Sequence, residues 1–116
     1  MEKKVVAVIG SRKFTDYELM KKTLDKLEIE LIVSGGAIGA DTLAEKYAEE
    51  HDIPTIIHKP NWRLYGKAAG FIRNKYIVDD ADIVVAFWDG KSRGTEHSID
   101  LARKVGKKVI IILGDN

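Results

Sequence analysis

The 116-residue sequence predicts an α/β fold: a three-layer, Rossmann-like domain built on a mainly parallel, five-stranded sheet. Three observations carry this. Residues 5–9, 83–88 and 109–113 are runs rich in Val and Ile without polar alternation, as strands buried on both faces of a parallel sheet read. Between the apolar runs, apolar residues recur at steps of three and four, the stripe of a helix packed on one side. Six of the ten glycines stand directly after predicted strands.

The elements follow in order. The first strand, 5–9, ends at Gly10. Thr15 and Glu18 have the spacing of a capping box, and Tyr17, Met20, Leu24 and Leu27 continue it as one apolar stripe. Residues 31–33 form a second strand. Ala40, Leu43, Ala44, Tyr47 and Ala48 stripe a second helix. A third strand, 55–57, is short and follows Pro54, which places it nearer an edge. Residues 59–70 read as one long connection, of a length that is often functional in a compact domain. Ala69, Ile72 and Tyr76 stripe a third helix before the strand at 83–88. Ser92 or Thr95 caps a fourth helix that turns Ile99 and Ala102 inward, with Gly106 at its C-terminal end and the strand 109–113 beyond. Right-handed crossovers give the order 3-2-1-4-5. No repeat or linker divides the chain, so residues 1–116 are expected to form a single domain.

Composition narrows the function classes. Apolar residues make up 45% and charged residues 32% of the chain, a globular balance. Nineteen Lys and Arg oppose eighteen Asp and Glu, for a net charge of +1. Binding duplex DNA through its phosphates usually goes with a larger basic excess, so this balance argues against nucleic acid as a partner. The absence of cysteine excludes disulfides, thiolate zinc, iron–sulfur clusters and a cysteine nucleophile. His51, His58 and His97 lack metal-ligand spacing, and neither a metal nor another cofactor is expected. No apolar run approaches the roughly 20 residues of a membrane span and no signal peptide fits the start, so a cytoplasmic protein without membrane contact is expected.

The glycines point to the site. Carboxyl ends of parallel strands share one rim, and ligands of open α/β sheets bind outside it. Gly10-Ser11-Arg12, Ser34-Gly35-Gly36-Ala37-Ile38-Gly39-Ala40-Asp41 and Trp88-Asp89-Gly90-Lys91-Ser92-Arg93-Gly94-Thr95 should therefore converge. The helix after each loop points free N–H groups into the same space, which suits phosphate. The plainer readings are tight strand-to-helix turns, ordinary Ser/Thr caps and a solvated Arg12. Asp41 is either a helix-start charge or an acceptor for a ribose hydroxyl. In the long connection, Trp62 or Tyr65 could stack on a base or clamp the loop, and Lys67, Arg73 and Asn74 come near the same rim. Arg73 lies beside the inward stripe, where a charge needs a partner. Neither a dinucleotide-binding G-x-G-x-x-G nor a Walker A motif is present; the glycine the latter needs is Val85.

Together Gly10-Ser-Arg, Ser34 to Asp41, Trp62 with Tyr65-Gly-Lys-Ala-Ala-Gly70, Arg73-Asn74 and Phe87 to Thr95 resemble the SLOG superfamily of Smf/DprA and LOG proteins, in its small stand-alone branch related to YspA and YpsA. The resemblance covers nearly the whole chain. It implies a domain that binds a nucleotide or nucleotide-derived ligand, such as an ADP-ribose-like molecule, as a sensor or sequestering protein, in a homodimer or larger homo-oligomer. Two other branches supply alternatives. LOG-like enzymes cleave the N-glycosidic bond of nucleoside 5′-monophosphates with an arginine and a glutamate. Arg73 matches the arginine and Gly94-Thr95 matches the preceding motif, but the glutamate's position holds Ser98. Glu96 or Asp41 would have to serve as the carboxylate, and Arg73, Glu96 and Asp41 are the catalytic candidates of that alternative. The DprA branch, which shares Gly-Ser-Arg, binds single-stranded DNA.

Overall fold

The computed structural model describes residues 2–114. Strands β1 (Lys4–Gly10), β2 (Ile29–Ser34), β3 (Thr55–Ile57), β4 (Ile83–Trp88) and β5 (Lys108–Leu113) form one sheet in the order β3-β2-β1-β4-β5. All four pairings are parallel, as the unbroken Val/Ile runs require. Helices α1 (Tyr17–Leu24) and α2 (Ala40–Glu50) precede β2 and β3. Then come the short α3 (Trp62–Tyr65), a 3-10 turn (Gly66–Ala68) and α4 (Ala69–Asp80); α5 (Arg93–Lys104) leads to β5.

Two core layers flank the sheet. Val6, Val8, Val85 and Phe87 point to the layer filled by Phe14, Met20, Leu24, Ala44 and Tyr47. Ala7, Ile9, Val84 and Ala86 point to the other, filled by Ile77, Val78, Ile99 and Ala102. The period-two alternation of β1 and β4 thus feeds both layers, which gives the three-layer, Rossmann-like architecture. No helix among the described residues is long and apolar enough to cross a membrane.

Four local expectations are corrected. Asp16, not Thr15, caps α1, its carboxylate accepting the Leu19 N–H at 3.1 Å. Both residues are good caps, and position relative to the first turn decides between them. Residues 59–70 are not one open loop, because Asn61 accepts the Leu64 N–H at 3.1 Å and starts α3. The inward face of α4 is Ala69, Asn74, Ile77 and Val78, with Tyr76 exposed. Finally, β5, at the sheet edge as the strand order requires, is not buried on both faces: Val109 to Ile112 are half-buried and Lys108 and Leu113 are exposed.

Candidate functional site

Each strand on the rim ends in a turn that the next turn holds. At the end of β1, the Ser11 N–H donates to the Phe87 carbonyl of β4 at 3.0 Å. The Ser11 carbonyl then accepts N–H groups from Phe14 and Ala40, both at 3.2 Å, so it joins the first loop to the start of α2. Arg12 and Lys13 are left exposed on this turn.

The β2–α2 loop passes directly under that turn. Gly39 has φ +82°, and a Cβ there would overlap the carbonyl oxygens of Ser11 and Arg12. Only glycine allows this crossing. Asp41, in the first turn of α2, accepts the Ala37 N–H at 3.0 Å. Its side chain belongs to a residue only 7% exposed. Burial pushes the carboxyl up to about 6, against the opposing pull of the Ala37 N–H and the Arg73 charge.

At the end of β4 the Asp89 carboxylate organises the third loop. It accepts N–H groups from Lys91 and Ser92, each at 2.8 Å, and hydroxyls of Ser92 at 3.2 Å and Ser11 at 3.4 Å. The backbone bonds from Ser92 and Lys91 hold Asp89 below the usual carboxylate range. The Trp88 indole N–H donates to the Ser92 carbonyl at 3.1 Å. Beyond it, the first-turn amides of α5, on Arg93, Gly94 and Thr95, have no acceptor within the helix.

From α4, Arg73 and Asn74 fasten the loops. Arg73 Nη1 donates to the Gly35 carbonyl at 2.7 Å and the His58 carbonyl at 3.4 Å, and its Nε donates to Asn74 Oδ1 at 3.0 Å. Asn74 Nδ2 donates to the Gly94 carbonyl at 3.2 Å, and lies 3.2 Å from His97 Nδ1. The charge on the inward face of α4 is thus answered mainly by backbone carbonyls, with Asp41 contributing electrostatically.

A cavity of about 450 Å³ lies between these loops. Of the residues singled out in the sequence, Gly10, Ser11, Arg12, Asp41, Arg73, Asn74, Asp89, Ser92, Gly94 and Thr95 line it. Ser34, Gly35, Gly36, Gly39, Trp62, Lys67 and Trp88 do not, nor does Glu96. Ile9, Lys13, Ile77 and Ser98 line it without having been named as ligand residues, as do Ala37 and Arg93 from inside the quoted loops. Four cationic side chains (Arg12, Lys13, Arg73, Arg93) face two carboxyls (Asp41, Asp89). Arg12, Lys13 and Arg93 form no ion pair with any described residue. An arrangement of unpaired cations and helix-start amides around a hollow can hold an anion.

Comparison with known proteins agrees with this architecture. Residues 4–65 match the model of the YspA, cpYpsA-related SLOG family. The Gene 61 protein of Mycobacterium phage D29 is 35% identical over 116 aligned positions, covering 90% of this chain and 93% of the phage protein. DNA processing protein A (DprA) from Streptococcus pneumoniae shares the fold with a TM-score of 0.79 at 24% identity over 97% of this chain. DprA from Helicobacter pylori superposes with a TM-score of 0.73 at 25% identity over 96% of it. The chain spans about half of the pneumococcal protein (51%) and 66% of the H. pylori protein. The H. pylori structure describes a mode of binding single-stranded DNA. That corrects the expectation, drawn from the +1 balance, that nucleic acid is an unlikely partner. Net charge sums the whole surface, whereas phosphate responds to local clusters such as the four cations around this cavity.

Proposed function

Because the chain belongs to the YspA- and cpYpsA-related SLOG family, we propose that its rim cavity binds the phosphate of a nucleotide or nucleotide-derived ligand, such as an ADP-ribose-like molecule, and that the protein senses or sequesters it. One observation carries the reading. Arg12, Lys13 and Arg93 stand without carboxylate partners among the described residues, around a 450 Å³ hollow that also receives the N-terminal turns of α2 and α5. The volume falls within the range of small-ligand sites.

The chemistry is that of anion capture. Phosphate oxygens accept from the α5 amides and from the Thr95 hydroxyl, while the guanidinium groups of Arg12 and Arg93 supply charge-assisted hydrogen bonds. Asp41, half-protonated near pH 6, can donate to a ribose hydroxyl as well as accept from one. A second reading, a single-stranded nucleic-acid binder, is favoured by the H. pylori DprA likeness, and it would use the same cations on a phosphodiester.

The test is calorimetric titration with ADP-ribose, AMP and oligothymidylate on wild type and on Arg12→Glu/Arg93→Glu. Binding to at least one probe, lost in the variant, is expected. Equal affinity in both proteins would remove the cavity from the proposal, and release of free base from AMP would move it to the hydrolase.

A further inference from the structure

A second hollow of about 400 Å³ lies beside the first, and Arg73 lines both. Its character is different. Ile57 and Ile72 give it apolar wall, and Tyr65 and Tyr76 give it two aromatic rings. These tyrosines are 43% and 53% exposed, and neither is part of the two core layers. The Tyr76 ring is also braced: it stacks on the His58 imidazole with centroids 5.9 Å apart, and His58 Nε2 is held at 2.6 Å by Asp80. A large ring braced on His58 and still half-exposed to water can act as a stacking platform for a flat ligand. Asn61 adds an edge group. Its side-chain oxygen is used in capping α3, which leaves its amide N–H groups as donors into the space it lines.

At the join, Arg73 uses Nη1 and Nε on Gly35, His58 and Asn74. Its Nη2 forms no hydrogen bond with any described residue. The two hollows thus pair an electropositive space with a flat, aromatic one across a guanidinium that has donors to offer. Nucleotides have the same division: charged phosphate, flat base and a polar sugar between them.

We infer that the hollow beneath α3 is a nucleobase subsite, taking the base of the ligand whose phosphate occupies the cavity between Arg12 and Arg93. The base stacks on the Tyr76 ring that His58 braces, and Arg73 serves the sugar–phosphate between the hollows. This rests on the phosphate-binding reading above. The base comes either from a free nucleotide or from a single strand lying along the rim, and the chemistry of the subsite is the same for both.

The experiment titrates ribose 5-phosphate, AMP, oligothymidylate and an abasic strand of equal length into wild type, Arg12→Glu, and Tyr65→Leu/Tyr76→Leu. Stacking of one base makes wild type prefer the base-bearing probe by about 5- to 100-fold over its base-less counterpart. Whether the preference appears for AMP over ribose 5-phosphate, or for oligothymidylate over the abasic strand, identifies the source. The double tyrosine variant is expected to lose the preference while holding the base-less probe as wild type does. Both positions are solvent-exposed; if the double variant does not fold, Tyr76→Leu alone gives the same readout. A tyrosine variant that keeps the preference, while Arg12→Glu weakens every probe, overturns the base subsite and leaves the phosphate cavity standing. Absence of any preference in wild type overturns it as well. Unchanged binding in Arg12→Glu defeats the phosphate reading, and this inference with it.

Discussion

Replacing Asp41 by Asn should remove a specific pH dependence from the stability of the fold. The Asp41 carboxyl is raised from 3.8 to about 6, chiefly by burial. At about 1.4 kcal/mol per unit, the ionised form costs the folded state roughly 3 kcal/mol relative to the protonated form. A carboxyl raised in the folded state binds its proton more tightly there than in the unfolded chain. Its contribution is therefore fully present below pH 3.8 and is lost as pH rises through about 6. About half of the roughly 3 kcal/mol is lost above pH 5. Asn keeps an acceptor for the Ala37 N–H but does not titrate. Urea unfolding of both proteins from pH 4 to pH 8 isolates the term as a difference, because the three histidines are common to both chains. Relative to the variant, wild type should lose about 2 kcal/mol over that range. Two parallel stability curves would refute the assignment of a raised carboxyl to this position.

Other outcomes follow from the same geometry. Gly39→Ala places a methyl against the Ser11 and Arg12 carbonyls at φ +82°, so stability should fall by more than about 2 kcal/mol; an unchanged thermal midpoint would contradict this crossing of loops. Lys13→Glu should leave the stability measured by urea unfolding within about 0.5 kcal/mol of wild type, because the side chain is exposed and forms no ion pair with a described residue. The same variant should weaken oligothymidylate or ADP-ribose binding about tenfold at low salt, with a shallower salt dependence than wild type. Asn74→Ala leaves the Gly94 carbonyl and the Arg73 Nε without their partner and should cost about 1–3 kcal/mol by urea unfolding, whatever its effect on binding.

The strand order and the meeting of three loops were legible in the sequence for a simple reason. Parallel strands with right-handed crossovers have their carboxyl ends on one side, so Gly10-Ser-Arg, Ala37 to Asp41 and Ser92 to Thr95 had a common destination before any side chain was placed. What stayed hidden depended on pairs distant in sequence. Hydrophobic periodicity chose Ile72 and Tyr76 for the inner face of α4, because it has no means of seeing that Asn74 is buried by bonding Gly94 and that Arg73 is drawn in by the carbonyls of Gly35 and His58. The glycines of the second loop suggested a phosphate cradle, yet Gly39 serves first as the crossing point beneath Ser11 and Arg12, and it does not line the cavity. An unbroken apolar run does not reveal how completely it is covered, so 109–113 read as buried on both faces although β5, at the edge the strand order gives it, is only partly covered. Net charge misled most, since +1 for the chain conceals the excess of cations at the rim.

The clamp made by Arg73 divides the rim into a frame and a set of arms. The frame is main chain, tied by one guanidinium to the ends of two neighbouring strands, and nothing in it depends on an occupant. The arms are Arg12, Lys13 and Arg93, which no ion pair with a described residue anchors. Capture and architecture are therefore separable: related chains can exchange the arms, and so change what they catch and how strongly salt competes with it, while the scaffold beneath keeps its shape.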